Sequence, residues 1–199
     1  MKVTTVFIPD RGSECAWRSS ARGQRQDHAV VAVREIRDEE GPVVAIDADI
    51  NQHLGLALGL DGGLAGGTAG DPPPLGGMLT EIKDYLRGDN PLIRDTASMV
   101  KTTPPGRGSR LVRLNDPFFP SRSVEGVSLM VTGPFEENDL GVACYHSKLG
   151  AVELYLNHLV DGPGEYVVVD MTAGRTPSPP GCSPASTSPS WSPSRPVRG

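Results

Sequence analysis

Two stretches decide the fold: Pro42-Val43-Val44-Ala45-Ile46-Asp47-Ala48-Asp49 and Glu165-Tyr166-Val167-Val168-Val169-Asp170-Met171-Thr172-Ala173-Gly174. Each is a short run of apolar, largely β-branched residues without polar alternation. That pattern suits a strand buried on both faces of a parallel sheet. Each run ends in aspartate. After the first, Leu54, Leu56, Leu58 and Leu60 predict a short helix, and Asp61 to Gly77 is a Gly/Pro-rich loop. Met78, Leu79, Ile82, Tyr85 and Leu86 have helical spacing, and Ser128 to Val131 is a further candidate strand. From His146 to Val160, Leu149, Val152, Leu156 and Leu159 or Val160 line one helical face and lead into the last strand. Helices feeding buried strands predict an α/β fold with a mostly parallel sheet and helices on both faces.

Outward from this middle zone, Gly41 to Gly174, the chain changes character. The 199 residues include 24 Gly and 19 Pro, many of them in the final segment and in loops. Arg175 to Gly199 reads RTPSPPGCSPASTSPSWSPSRPVRG, with no Leu, Ile, Phe or acidic residue, and is expected to be a disordered tail. A proline-rich ligand for a partner domain is the other reading of such a segment. Met1 to Glu40 is atypical too. Met1 to Ile8 suits a strand, Pro9 to Asp27 is arginine-rich without a clean period, and apolar Ala29 to Val33 gives way to charged Arg34 to Glu40. A net charge of −5 argues against nucleic acid or an anionic membrane as partner. Cys15, Cys144 and Cys182 have neither metal-site nor disulfide-framework spacing, which predicts a reducing, cytoplasmic setting.

The chemistry is expected at the strand ends. In a parallel sheet Asp47, Asp49 and Asp170 lie along one edge. Mg²⁺ takes oxygen ligands and keeps several waters, so carboxylates at such an edge suit a metal–phosphate site. An aspartate after a strand is equally a common helix N-cap, and spacing alone does not choose between the two.

PVVAIDADINQHLGLALGL resembles the segment after the first helix of MinD/ParA-type P-loop ATPases, above all the CooC-like maturation ATPases. EYVVVDMTAG resembles that family's Walker B strand and following switch. The resemblance spans about Gly41 to Gly174 and implies a three-layer P-loop NTPase-like domain, here truncated, that binds ATP and Mg²⁺. It implies that Asp49 is the catalytic residue positioning the attacking water. It also implies that Asp47 and Asp170 lie at the metal and cofactor, and that Gly174 approaches the γ-phosphate with its backbone. A homodimer and a protein client are the partners it implies.

The family's phosphate loop, K-G-G-x-G-K-[ST]-T, is missing. Arg22-Gly23-Gln24-Arg25-Gln26-Asp27-His28 stands in its place, and no lysine occurs between Lys2 and Lys83. Glycine backbone that cradles phosphate cannot be replaced by Gln and Arg side chains. Read out of frame, however, the codons from Glu14 permit M-R-V-A-F-V-G-K-G-G-N-G-K-T-T. Those from Ala29 to Glu40 permit the amphipathic L-S-S-L-F-V-R-Y-A-T-K-R. Those from Arg175 permit A-D-S-F-A-S-G-L-F-T-R-F-D-L-T-F-L-V-A-E-P-T-R-K-G, with a strand-like L-T-F-L-V-A. Both ends are expected to share one offset. The chain as written is then either an ATPase-family domain without its loop, a non-catalytic interaction module, or a frame-shifted product without function.

Other chemistry-bearing residues read as structural. Lys101-Thr102-Thr103 looks like the end of a phosphate loop but is followed by Pro104-Pro105 and preceded by no glycine run. Cys144 and His146 are adjacent in sequence without implying nucleophile–base geometry. His53 and His158 are expected on helix faces, and His28 lies in the shifted segment.

Overall fold

The computed structural model describes residues 2–8, 16–20, 27–37, 41–60, 71–134, 145–160, 162 and 164–172, and among these described residues are six strands and four α-helices. The strands are β1 (Lys2–Ile8), β2 (Ala16–Ser20), β3 (Val43–Ala48), β4 (Arg122–Val124), β5 (Val127–Val131) and β6 (Tyr166–Thr172). The helices are α1 (Asp27–Arg37), α2 (Leu54–Ala57), α3 (Leu79–Arg87) and α4 (Tyr145–His158). Gly174 and the tail from Arg175 to Gly199 lie outside the described residues, as do Cys15, Cys144 and Cys182.

The strands form one sheet in the order β2-β1-β6-β3-β5-β4. β3 is buried along its whole length and runs parallel to both neighbours, β5 and β6. The outer pairs β1–β6, β1–β2 and β4–β5 are antiparallel, so the sheet is mixed with a parallel centre. This is the α/β class read from the two apolar runs.

Strand alternation sorts the core into two layers. Val44, Ile46, Met130, Val167 and Val169 pack with Ile82 and Leu86 of α3 and Ala151, Val152, Leu154 and Tyr155 of α4. Val43, Ala45, Leu129, Val131 and Val168 pack with Ala29, Val30, Val33 and Ile36 of α1 and with Leu54 and Leu58 at α2. Helices therefore cover both faces.

Three features depart from the pattern seen in sequence. α1 spans the region where apolar residues give way to charge. Its buried residues at 29, 30, 33 and 36 repeat at helical spacing, with Arg34 turned outward. β2 occupies part of the arginine-rich stretch. Within the Gly/Pro loop, Leu75–Met78 forms a 3-10 turn that drives Leu75 fully into the core.

The long connection between α3 and β4 has little regular structure, yet it is pinned at many points. Asn90 Nδ2 donates to Ser109 Oγ at 2.8 Å, and Arg110 N donates to Leu86 O at 2.9 Å. Tyr85 stacks on Phe118 with ring centroids 3.9 Å apart and donates its hydroxyl to Asp116. Phe119 packs on Tyr155 of α4.

Candidate functional site

The three aspartates singled out in sequence gather where β3 and β6 end. Asp47 of β3 and Asp170 of β6 are direct register partners on neighbouring parallel strands. Asp47 shares strand parity with Val43 and Ala45, and Asp170 with Val168. Both carboxylates therefore leave the sheet on the α1/α2 face. Both are buried, Asp47 completely. Asp49 directly follows β3, opens the turn there and is buried as well.

Both carboxylates at the end of β3, Asp47 and Asp49, have local work. Asp47 Oδ2 accepts the Leu54 N–H at 2.7 Å, and Oδ1 accepts the Asp49 N–H at 3.3 Å. Leu54 opens α2, so Asp47 satisfies a first-turn donor of that helix from a distance, while the residue at the N-cap, His53, makes no side-chain cap. Asp49 Oδ1 accepts the Asn51 N–H at 2.8 Å and Asn51 Nδ2 at 2.9 Å, which folds residues 49–52 into a turn closed by Gln52 N donating to Asp49 O.

Burial is the main force on the Asp47 proton and pushes the carboxyl up to about 7. The Leu54 N–H opposes the rise, the negative charge of Asp170 adds to it, and the N–H and charge of Asp49 follow with opposite signs. At neutral pH the site is therefore poised to take up or release a proton.

Nothing in the sequence marks Gln52 as part of the site. It is nearly buried, sits at φ 50°, and spends its whole amide on the backbone. Nε2 donates to Asp49 O at 2.5 Å and Asp47 O at 3.3 Å, while Oε1 accepts the Gly133 N–H at 3.2 Å. Gln52 thereby joins the turn after β3 to the exit of β5. A left-handed non-glycine residue leaves no mark in a single sequence, so no signal pointed to it.

The other candidates are dispersed. Lys101 pairs with Glu153 of α4 at 2.9 Å, Thr103 Oγ1 accepts the Val100 N–H, and Asn157 Nδ2 donates to Lys101 O. These contacts pin a loop to α4. His53 is exposed, and His158 is buried against Leu154 O, with burial lowering its pKa. His28 lies in α1 and His146 in α4.

The paired carboxylates can hold a proton or contribute oxygens to a hard cation. Among the described residues no group of three or more His, Cys, Asp or Glu is arranged to hold a metal ion. β1, the strand beside β6, runs antiparallel to it, with Thr4 opposite Asp170. Its amino end, not a carboxyl end leading into a loop, therefore stands next to the aspartates. Among the described residues no helix is long and apolar enough to cross a membrane. No family model matches the chain, and the comparisons with curated proteins and with solved structures return no match.

Proposed function

We propose that this chain carries the acidic half of a Mg²⁺–nucleotide site of the MinD/ParA-type, CooC-like P-loop ATPases, and that its phosphate-binding half is encoded out of frame. The observation that carries the reading is the side-by-side register of Asp47 and Asp170, with Asp49 on the turn beyond. Two carboxylates on one sheet face at a carboxyl edge fit a hydrated divalent cation. A glycine–lysine loop to cradle a triphosphate is missing from the sequence. Arg22 to His28 replaces the glycine–lysine loop, and β1 approaches Asp170 from the wrong end. The chain as written is therefore expected not to hydrolyse Mg·ATP, and no catalytic step is assigned to Asp49 in it.

A single offset does not restore the loop, contrary to the expectation from sequence. Joining the last base of each codon to the first two of the next gives M-R-V-A-F-V-G-K-G from Glu14 to Gly23. From Gln24 to Gly41 the other offset, the last two bases with the first of the next, gives N-G-K-T-T followed by the amphipathic helix. The tail from Gly174 returns to the first offset. One added base at each of Gly23, Gly41 and Gly174 reconciles all four segments, and every step falls on a glycine codon, GGN. A guanine dropped from a guanine run at each site produces this pattern.

Calorimetry of the chain with Mg·ATP is expected to show no binding. Micromolar affinity that is abolished by Asp170→Ala would overturn the account of the phosphate half. The chain made from a gene with the three guanines restored is expected to hydrolyse ATP, to lose that activity on Asp49→Ala, and to dimerise around nucleotide. A restored chain that neither binds nor hydrolyses ATP would leave a non-catalytic interaction module as the better reading.

A further inference from the structure

We infer that Gln52 is a latch that couples the aspartate-bearing turn after β3 to the exit of β5, so that the two loop ends move as one body. The inference stands on hydrogen bonds and does not depend on the nucleotide reading. One side chain holds both partners: its amide nitrogen bridges Asp47 O and Asp49 O, and its amide oxygen takes the Gly133 N–H. Its backbone sits at φ 50°, a conformation that costs a non-glycine residue energy and persists only where surrounding contacts hold it. The far end is equally constrained. Gly133 has φ 99°, and a Cβ there would lie 2.8 Å from Pro74. Next along the chain, Pro134 O accepts Lys148 Nζ of α4 at 2.8 Å. A path of hydrogen bonds thus runs from the Asp49 turn through Gln52 and the β5 exit to α4. A group bound at the aspartates would be felt at Gly133 and Pro134, and at Lys148 of α4, through this side chain.

Amide hydrogen exchange on the ¹⁵N-labelled full chain tests the latch. The Thr132 N–H, which donates to Asp47 O at 2.9 Å, serves as the internal reference for a folded sheet. Gln52→Leu is expected to speed exchange of the Gly133 amide about tenfold, as expected for one lost hydrogen bond, with Thr132 still protected. Asp49→Ala is expected to speed Gly133 exchange when Gln52 is present and to add nothing in the Gln52→Leu background. Unchanged Gly133 exchange in Gln52→Leu, or an equal effect of Asp49→Ala in both backgrounds, would overturn the latch. Should Gln52→Leu also expose Thr132, Gln52→Glu decides. It keeps the acceptor for Gly133 but loses the donors to the turn, so Gly133 is expected to stay protected while Asn51 exchanges fast. Slow Asn51 exchange in that variant would overturn the inference.

Discussion

Replacing Asp47 by asparagine should abolish the loss of stability that this residue causes as pH rises. The Asp47 carboxyl is pushed from 3.8 up to about 7, chiefly by burial. The native state therefore holds this proton more tightly than the unfolded chain does. That preference stabilises the fold fully below about pH 4 and is lost as pH rises through about 7, for a total of about 4 kcal/mol. Above that range the protein carries a buried charge, compensated only in part by the Leu54 and Asp49 N–H groups. Asparagine carries no charge at any pH. Its carbonyl can still accept the Leu54 N–H, while its NH₂ group meets the Asp49 N–H at a pH-independent cost of about 1 kcal/mol. Relative to wild type, Asp47→Asn should gain about 3 kcal/mol in going from about pH 5 to about pH 8, ending the more stable of the two. Urea unfolding of both proteins across this range measures the difference directly and cancels the contributions of the other carboxylates. A stability difference that stays flat with pH, or that moves against the variant as pH rises, would show that burial does not hold the proton on Asp47.

Three further outcomes follow from the packing. Ile46→Ala, at a fully buried position on the central strand, should cost about 3 kcal/mol in urea unfolding through lost burial and an unfilled cavity. Gly76→Ala should cost about 2 kcal/mol, because its Cβ would meet Thr132 O at 2.6 Å and Lys148 Cβ at 2.7 Å. Lys101→Met should change stability by less than about 1 kcal/mol, since the pair with Glu153 is partly exposed, and should leave any nucleotide response of the frame-restored protein intact.

The central strands were legible because buried parallel strands are unbroken β-branched runs, and both VVAIDA and YVVVDMT ended in the acidic residues that now face each other. α4 and α3 were legible by period. α1 was not, since its apolar positions straddle the boundary between Ala29–Val33 and the charged Arg34–Glu40. The antiparallel seat of β1 beside β6 depends on long-range pairing that no local pattern encodes. At the site, sequence identified the three aspartates but not their occupations. Both readings of a strand-end aspartate hold in part for Asp47, which faces Asp170 and also satisfies the start of α2 across seven residues of chain. Gln52 was invisible because its role rests on a backbone conformation and on a partner 81 residues away.

The nucleotide sequence of the gene from the Glu14 codon to the Gly41 codon decides whether the phosphate-binding half is encoded out of frame. GAA is expected at Glu14 and AGG at Arg22, with a guanine run at Gly23 one base short of the intact gene, so that the first offset up to Gly23 joined to the second beyond it spells K-G-G-x-G-K-[ST]-T. Codons that fail to give M-R-V-A-F-V-G-K-G in the first offset up to Gly23, or G-x-G-K-[ST]-T in the second offset from Gly23 onward, would show that the loop is not encoded there.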